Sequence, residues 1–198
     1  MPKLACNIPP KVALACSGGH DSMAALSFLL RGRRDVQLLH YNHGTEGSDE
    51  AEDLVRSTAA KFDLDLRVGR PDKPIEPTEA SWRTARYSFF KTAARPIVMA
   101  HHLNDAVEWW IFSSLRGKPK LIPVSRQLDN NVILRPFLLF TKDELAKHRS
   151  IDSYNDASNL DTKFARNRIR HNLVPEALKV NPGLFKTISN LYKAVKHG

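Results

Sequence analysis

Cysteine is nearly absent from this chain: Cys6 and Cys16 are the two among 198 residues. They do not form a Cys-x-x-Cys pair, and Cys16 falls in an apolar run that reads as a strand. This excludes a disulfide framework and argues against a cysteine-bound zinc. Long apolar runs are missing too. None is long enough to span a bilayer, so no membrane partner is expected. The first residues, Met1-Pro2-Lys3-Leu4-Ala5-Cys6, lack the apolar core and cleavage site of a secretory signal, so the expected location is cytoplasmic. Acidic residues are in short supply, with 21 Asp and Glu against 30 Lys and Arg, a net charge of +9 and a pI near 9.7. Such an excess favours an anionic partner, nucleic acid first. Simple solubility is the plain alternative, but the charge is uneven. Residues 160–198 hold Lys163, Arg166, Arg168, Arg170, Lys179, Lys186, Lys193 and Lys196 against Asp161 and Glu176.

What is present suits one soluble domain. A chain of this length buries roughly 70% of its unfolded surface and needs no staples. Strand patterns fall at 12–17, 36–42, 64–68, 96–101 and 132–136. Helical patterns fall at 22–31, 49–62, 79–94, 104–115, 142–149, 165–179 and 183–196. Thr141 and Glu144 have capping-box spacing. Pro71 to Pro77 reads as a loop, and Pro175 should break or kink the helix it lies in. Alternating strands and helices predict an α/β fold with a mostly parallel five-stranded sheet and helices on both faces. The expected division is a nucleotide-binding domain over 1–160 and a basic helical tail over 161–198.

The most informative stretch is Val12-Ala-Leu-Ala-Cys-Ser-Gly-Gly-His-Asp-Ser22. A strand that ends in a Gly-rich turn and feeds a helix N-terminus is built to hold an anion, since glycine permits close approach and unpaired N–H groups point at the ligand. Ser17 and Ser22 add hydroxyls. The spacing matches neither the dinucleotide GxGxxG nor the Walker GxxxxGK[ST] pattern. A second stretch joins His101-His102 at a strand end to Asp105 and Glu108. These acids are three apart and share one face of the first helical turn. Together they suit a cation, a metal or an amine. The plain alternative is a pair of acids favoured by the helix dipole.

Ser17-Gly18-Gly19-His20-Asp21-Ser22 resembles the SGGxDS loop of the PP-loop ATP pyrophosphatases. His101 to Gly117 resembles the HHxxDxxE…LRG signature of one branch, the tRNA(Ile)-lysidine synthases. Four more segments resemble that branch in order: His40-Tyr41-Asn42-His43-Gly44, Glu79 to Tyr87, Leu134-Arg135-Pro136-Phe137, and Asn155 to Asn159 with Ala165 to Pro175. Thr45-Glu46 and Trp109 depart from its usual residues, and the usual C-terminal helical domains are not found after the tail.

The resemblance implies ATP and Mg²⁺ as cofactors, and tRNA and lysine as substrates. It implies that Ser17, Gly18, Gly19, Asp21, Ser22 and His101 bind nucleotide, Asp21 also holding Mg²⁺. Asp21, Arg86, Asp105, Glu108 and Arg166 would carry catalysis, with the two helix acids binding the lysine ammonium and Arg166 gripping phosphate. The reaction implied is ligation of lysine to C2 of the wobble cytidine of an isoleucine tRNA through an adenylated intermediate. The alternatives are amide or amidine formation on another substrate, or a non-catalytic tRNA-binding module. A sulfur-transferring relative is disfavoured by the shortage of cysteine. RNA binding is expected to rest on charge in 160–198. A homodimer would enlarge that basic surface, though no residue argues for one.

Overall fold

The computed structural model describes residues 3–71, 76, 78–155 and 165–195. Six strands form one sheet: β1 (Lys11–Ala15), β2 (Asp35–Tyr41), β3 (Leu66–Gly69), β4 (Ile97–Val98), β5 (Ser125–Leu128) and β6 (Asn131–Leu134), in the order β3-β2-β1-β4-β6-β5. All neighbours are parallel except β5 and β6. The helices are α1 (His20–Arg31), α2 (Ser48–Lys61), α3 (Glu79–Phe90), α4 (Leu103–Leu115), α5 (Lys142–Ala146), α6 (Ala165–Arg168), α7 (Val174–Val180) and α8 (Leu184–Val195).

Alternation along the central strands explains the layering. Val12, Leu14, Val36 and Leu38 face one side, packed with Met23, Leu26 and Leu29 of α1 and Val55 of α2. Ala13, Leu39 and Ile97 face the other, packed with Tyr87 and Phe90 of α3. The sheet is therefore covered on both faces. A third cluster joins Leu103 and Val107 of α4 to Leu184, Ile188 and Tyr192 of α8. The tail helix thus shares a core with α4, and Tyr192 Oη donates to the Ile122 carbonyl at 2.9 Å.

The sheet has six strands rather than the five expected. The added one, β5, has three exposed positions out of four and no apolar alternation. A polar edge strand carries no hydrophobic signal and guards the edge against further pairing. Its turn partner Asp129 has φ +49°, a conformation Asp tolerates. The expected helix over 165–179 is also divided. Residues Ile169–Leu173 form a π-helical turn between α6 and α7, and Pro175 sits in the first turn of α7. Proline has no N–H and its ring crowds the carbonyl four residues back, so the wider turn before it avoids the clash. The capping box holds: Thr141 Oγ1 accepts from Glu144 N at 3.2 Å and Glu144 Oε2 accepts from Thr141 N at 2.8 Å. Of the Pro71–Pro77 loop, residues 72–75 and 77 lie outside the described residues, as do 156–164, where the expected domain boundary falls.

Strand order reverses between β1 and β4. Open parallel sheets bind ligands in the crevice at such a reversal. The Ser17–Ser22 loop follows β1 and His101-His102 follow β4, so both informative stretches flank it.

No described helix is long and apolar enough to cross a membrane.

Candidate active site

The loop after β1 is shaped by its glycines. Gly18 has φ +81°, and a Cβ there would lie 3.1 Å from the Ala51 carbonyl oxygen of α2. Its own carbonyl accepts from Tyr154 N at 2.8 Å, so the loop is clasped between α2 and the chain near residue 154. Gly19 is the N-cap of α1, and among the described residues no side chain caps that helix. Uncapped N–H groups at a helix start are donors available to an anion. Ser22 Oγ donates to Gly19 O at 2.9 Å and lies 3.3 Å from Ser17 Oγ. Both hydroxyls therefore sit at the rim of the turn. Asp21 is not the cap. It stands in the first turn of α1 and faces His102, whose Nε2 is 3.4 Å from Asp21 Oδ2.

His102 is the N-cap of α4. Its Nδ1 accepts from Asp105 N at 3.3 Å, and Asp105 Oδ2 accepts from His102 N at 3.0 Å. The one ring therefore joins the loop after β1 to the first turn of α4. Burial opposes charge on His102, but Asp105, Asp21 and Glu108 outweigh it and raise its pKa. Burial likewise opposes ionisation of Asp21, yet His102 and Lys142 bring its pKa below the ordinary value.

Asp105 and Glu108 are buried and share one face of α4. They are met by two guanidinia four residues apart on the α6 and π-helical segment. Arg166 Nη2 is 2.7 Å from Asp105 Oδ1, and its Nε is 3.4 Å from Glu108 Oε2. Arg170 grips Glu108 with two bonds of 2.8 and 3.1 Å, the fork that matches a carboxylate. Desolvation alone would raise the Asp105 pKa, but His102 and Arg166 hold it far below the usual carboxylate range. Arg166 thus points at the helix acids in this structure, rather than outward as a phosphate grip.

Asp21, Asp105, Arg166 and Arg170 line one cleft of about 720 Å³, with Arg86, His43, His101 and Lys142. That volume suits a nucleotide-sized ligand. Burial and the Arg86 charge lower the His43 pKa to about 4, and burial, with Arg135 and Arg166, lowers that of His101 to about 3. Both rings are neutral at physiological pH, and the Nδ1 atoms of both are buried without a hydrogen-bond partner among the described residues. A second groove, of about 350 Å³ and lined by Ile111, Leu115, Leu173 and Val180 among others, is apolar and offers no matching chemistry.

The His40–Gly44 segment is mostly scaffold. His40 Nδ1 is 2.9 Å from the Cys16 carbonyl, which ties β2 to the end of β1. Asn42 donates to Asp49 Oδ1 at 2.8 Å and Glu52 Oε2 at 2.9 Å. Glu52, 2% exposed, also meets Arg56 at 2.7 Å and Arg70 at 2.8 Å. Desolvation opposes its charge, but Asn42, Arg56 and Arg70 lower its pKa to about 2. A carboxyl depressed on folding stabilises above its unfolded pKa and loses that contribution as pH falls through the folded value. Glu52→Gln is expected to cost about 2 kcal/mol at neutral pH. It should also flatten the decline of the urea midpoint between pH 5 and pH 2. A variant declining as steeply as the parent would assign that acid sensitivity elsewhere.

The structure brings together Ser17, Gly19, Asp21, Ser22, Arg86, His101, Asp105 and Arg166 around the cleft, with Glu108 held beside them by the two arginines. Gly18 shapes the loop from behind. Trp109 is 41% exposed and its ring lies 5.8 Å from Phe112, on the outside of α4. No site role was expected for Arg170 or Lys142, and none for His102 apart from its neighbour. The spacing of Arg166 and Arg170 against Asp105 and Glu108 was the available signal for one of them. Of the tail cations, Lys163 and Lys196 lie outside the described residues, and Lys179 pairs with Glu176 at 2.8 Å.

Asp21 provides one half-exposed carboxylate beside the anion loop. Among the described residues no group of three or more His, Cys, Asp or Glu could cage a metal. One carboxylate beside an anion-holding loop is a donor of the kind Mg²⁺ takes, since that ion completes its shell with phosphate and water. The Cys16 thiol is buried and its pKa is raised by that burial, which makes it a poor nucleophile.

Comparison with known proteins agrees with this architecture. Residues 4–177 match the PP-loop domain. A tRNA(Ile)-lysidine synthase of Exiguobacterium sibiricum is 34% identical over 182 residues, covering 86% of this chain and 44% of that protein. The Persephonella marina tRNA(Ile)-lysidine synthase is 32% identical, covering 88% of this chain and 43% of that protein. The chain thus spans less than half the length of these two relatives. The U34-tRNA thiolase NcsA from Methanococcus maripaludis superposes with a TM-score of 0.69 at 15% identity, covering 93% of this chain and 72% of that one, a likeness of fold. The anion loop after β1, the reversal of strand order beside it and the match over residues 4–177 agree: this chain belongs to the PP-loop domain family.

Proposed function

We propose that this chain is the ATP-using part of a cytoplasmic tRNA(Ile)-lysidine synthase, joining lysine to C2 of the wobble cytidine through an adenylated intermediate. The observation that carries the reading is the convergence of two unlike half-sites on one cleft. An uncapped helix start with two hydroxyls suits pyrophosphate. A buried acid pair suits an amine. His102 joins them through contacts to Asp21 and Asp105.

In the first step the cytidine C2 oxygen attacks the α-phosphorus of ATP, and pyrophosphate leaves. Ser17, Ser22 and the α1 N–H groups hold the departing charge, and Arg86 faces the phosphates or the activated base. Asp21 would hold Mg²⁺, which when bound neutralises phosphate charge. His101, neutral and buried, contacts the nucleotide. In the second step the lysine ε-nitrogen bonds to C2 as the C2–O bond breaks, releasing AMP. Asp105, strongly acidic, suits holding the ammonium; in this reading Glu108 receives its proton. Arg170 keeps Glu108 aimed through its two bonds.

Incubation with ATP, Mg²⁺, labelled lysine and an isoleucine tRNA bearing a wobble cytidine tests this. Label should enter the RNA with one AMP formed per lysine incorporated. AMP formation without label in RNA would assign the cleft to another acceptor.

A further inference from the structure

Tyr87 is surrounded by three guanidinia. Arg83, one turn earlier on α3, donates to Tyr87 Oη at 2.9 Å, and its guanidinium carbon lies 4.4 Å from the ring centroid. Arg126 of β5 lies 5.5 Å from the same centroid. Arg135, 2% exposed, reaches Tyr87 Oη at 3.5 Å and donates to the Pro123 carbonyl at 2.8 Å. Among the residues whose side chains are described, which leave out Glu79, none of the three guanidinia pairs with a carboxylate. Lys91, just past α3, does pair, with Asp129 at 3.2 Å.

A tyrosine face stabilises an exposed cation by only about 0.5–1 kcal/mol and does not cancel its charge. Three like charges around one ring leave a positive field that an anion would complete. The plain alternative is arginine stems covering a ring, with heads in water. Two observations weigh against it. The stretch 109–128, which ends in β5, contains Arg116, Lys118, Lys120 and Arg126 and no acid. The cluster also runs into the cleft, because Arg86 lines it and lies three residues from Arg83 on α3. Between them on α3 are Thr84 and Ala85, and before them Trp82, whose ring lies 6.1 Å from that of the cleft residue His43. Arginine beside an aromatic at a cleft mouth fits single-stranded RNA, whose phosphates and unstacked bases need those two partners.

We propose that the face of α3 and β5 is an RNA-docking surface, with Arg83 and Arg126 contacting phosphates next to the nucleotide that enters the cleft. Tyr87 and Arg135 are its positioning residues. This rests on the reading of the substrate as tRNA. It moves the main phosphate contacts away from the C-terminal tail, where Arg166 and Arg170 turn inward to acids.

The test is binding of an anticodon stem-loop RNA across a salt series, by anisotropy, with ATP binding measured in parallel. Arg83→Gln and Arg126→Gln should each weaken RNA binding about fivefold or more and reduce the salt slope by about one. ATP affinity should not change. Arg126→Gln sits on an exposed edge strand, so it decides the matter if Arg83→Gln loosens Tyr87. Lys186→Gln with Lys193→Gln on α8 should have a smaller effect. Parent-like affinity and slope in both arginine variants, or loss confined to the α8 variant, overturns the surface but leaves the tRNA reading standing. A parent protein that ignores the RNA overturns both.

Discussion

Asp21→Asn is expected to lower AMP formation at saturating ATP and RNA by roughly 10²- to 10³-fold, the loss that follows when one preorganised electrostatic partner of a developing charge is removed. The substitution keeps the shape of the side chain and removes its charge. Asp21 stands beside a helix start that presents donors to an anion, and its carboxylate meets His102 at 3.4 Å. If it also holds Mg²⁺, the variant needs more of the metal to reach its own maximum. A structural role alone would lower thermal stability without moving the metal dependence. A plain helix-capping role is already disfavoured, because Gly19 occupies the cap. AMP formation at the parent rate, with parent metal dependence, would remove Asp21 from the chemistry.

The loop carrying Asp21 was legible because two local patterns coincide there. A buried strand stops at Ser17-Gly18-Gly19, and an apolar helix begins at once. Glycine at φ +81° is what such a turn requires where α2 passes close by. Covered parallel strands were legible for a similar reason, since β1 is an almost continuous apolar run and β2 is rich in apolar residues. What remained hidden depended on contacts distant in sequence. Strand β5 owes its place to pairing with β6, and its exposed Ser125, Arg126 and Gln127 carry no signal of their own. The π-helical turn follows a periodicity that continues through 165–179 without a break. The part played by His102 was beyond the sequence, because its contact with Asp21 joins residues 81 positions apart. His102 is the ring that joins Asp21 to Asp105; His101 lines the cleft beside it. Arg170 became a site residue only once α4 and the π-helical turn were seen to meet.

That meeting sets the second large effect. Asp105→Asn and Glu108→Gln are expected to raise the lysine concentration needed for half-maximal incorporation by about 30-fold or more, the effect of truncating one partner of a desolvated charge pair at a cost of about 2 kcal/mol. The ATP-dependent first step, followed as RNA-dependent exchange of pyrophosphate into ATP, changes much less. Both acids are fully engaged in this structure, so on the proposed reading the ammonium takes a place now held by a guanidinium. Arg166 is the one placed to yield. It is 44% exposed at its side chain and only one of its two carboxylate contacts, at 2.7 Å, is short. Arg170 holds Glu108 by two short bonds from the π-helical turn, which Pro175 helps to fix. Arg170→Gln therefore releases Glu108 and weakens lysine use together with the acid variants. Arg166→Gln impairs it less at saturating lysine. A lysine dependence equal to the parent's in Asp105→Asn and Glu108→Gln would make the four-residue cluster a structural ion network and place the amine elsewhere in the cleft. Strong impairment by Arg166→Gln with none by Arg170→Gln would reverse the roles assigned to the two arginines.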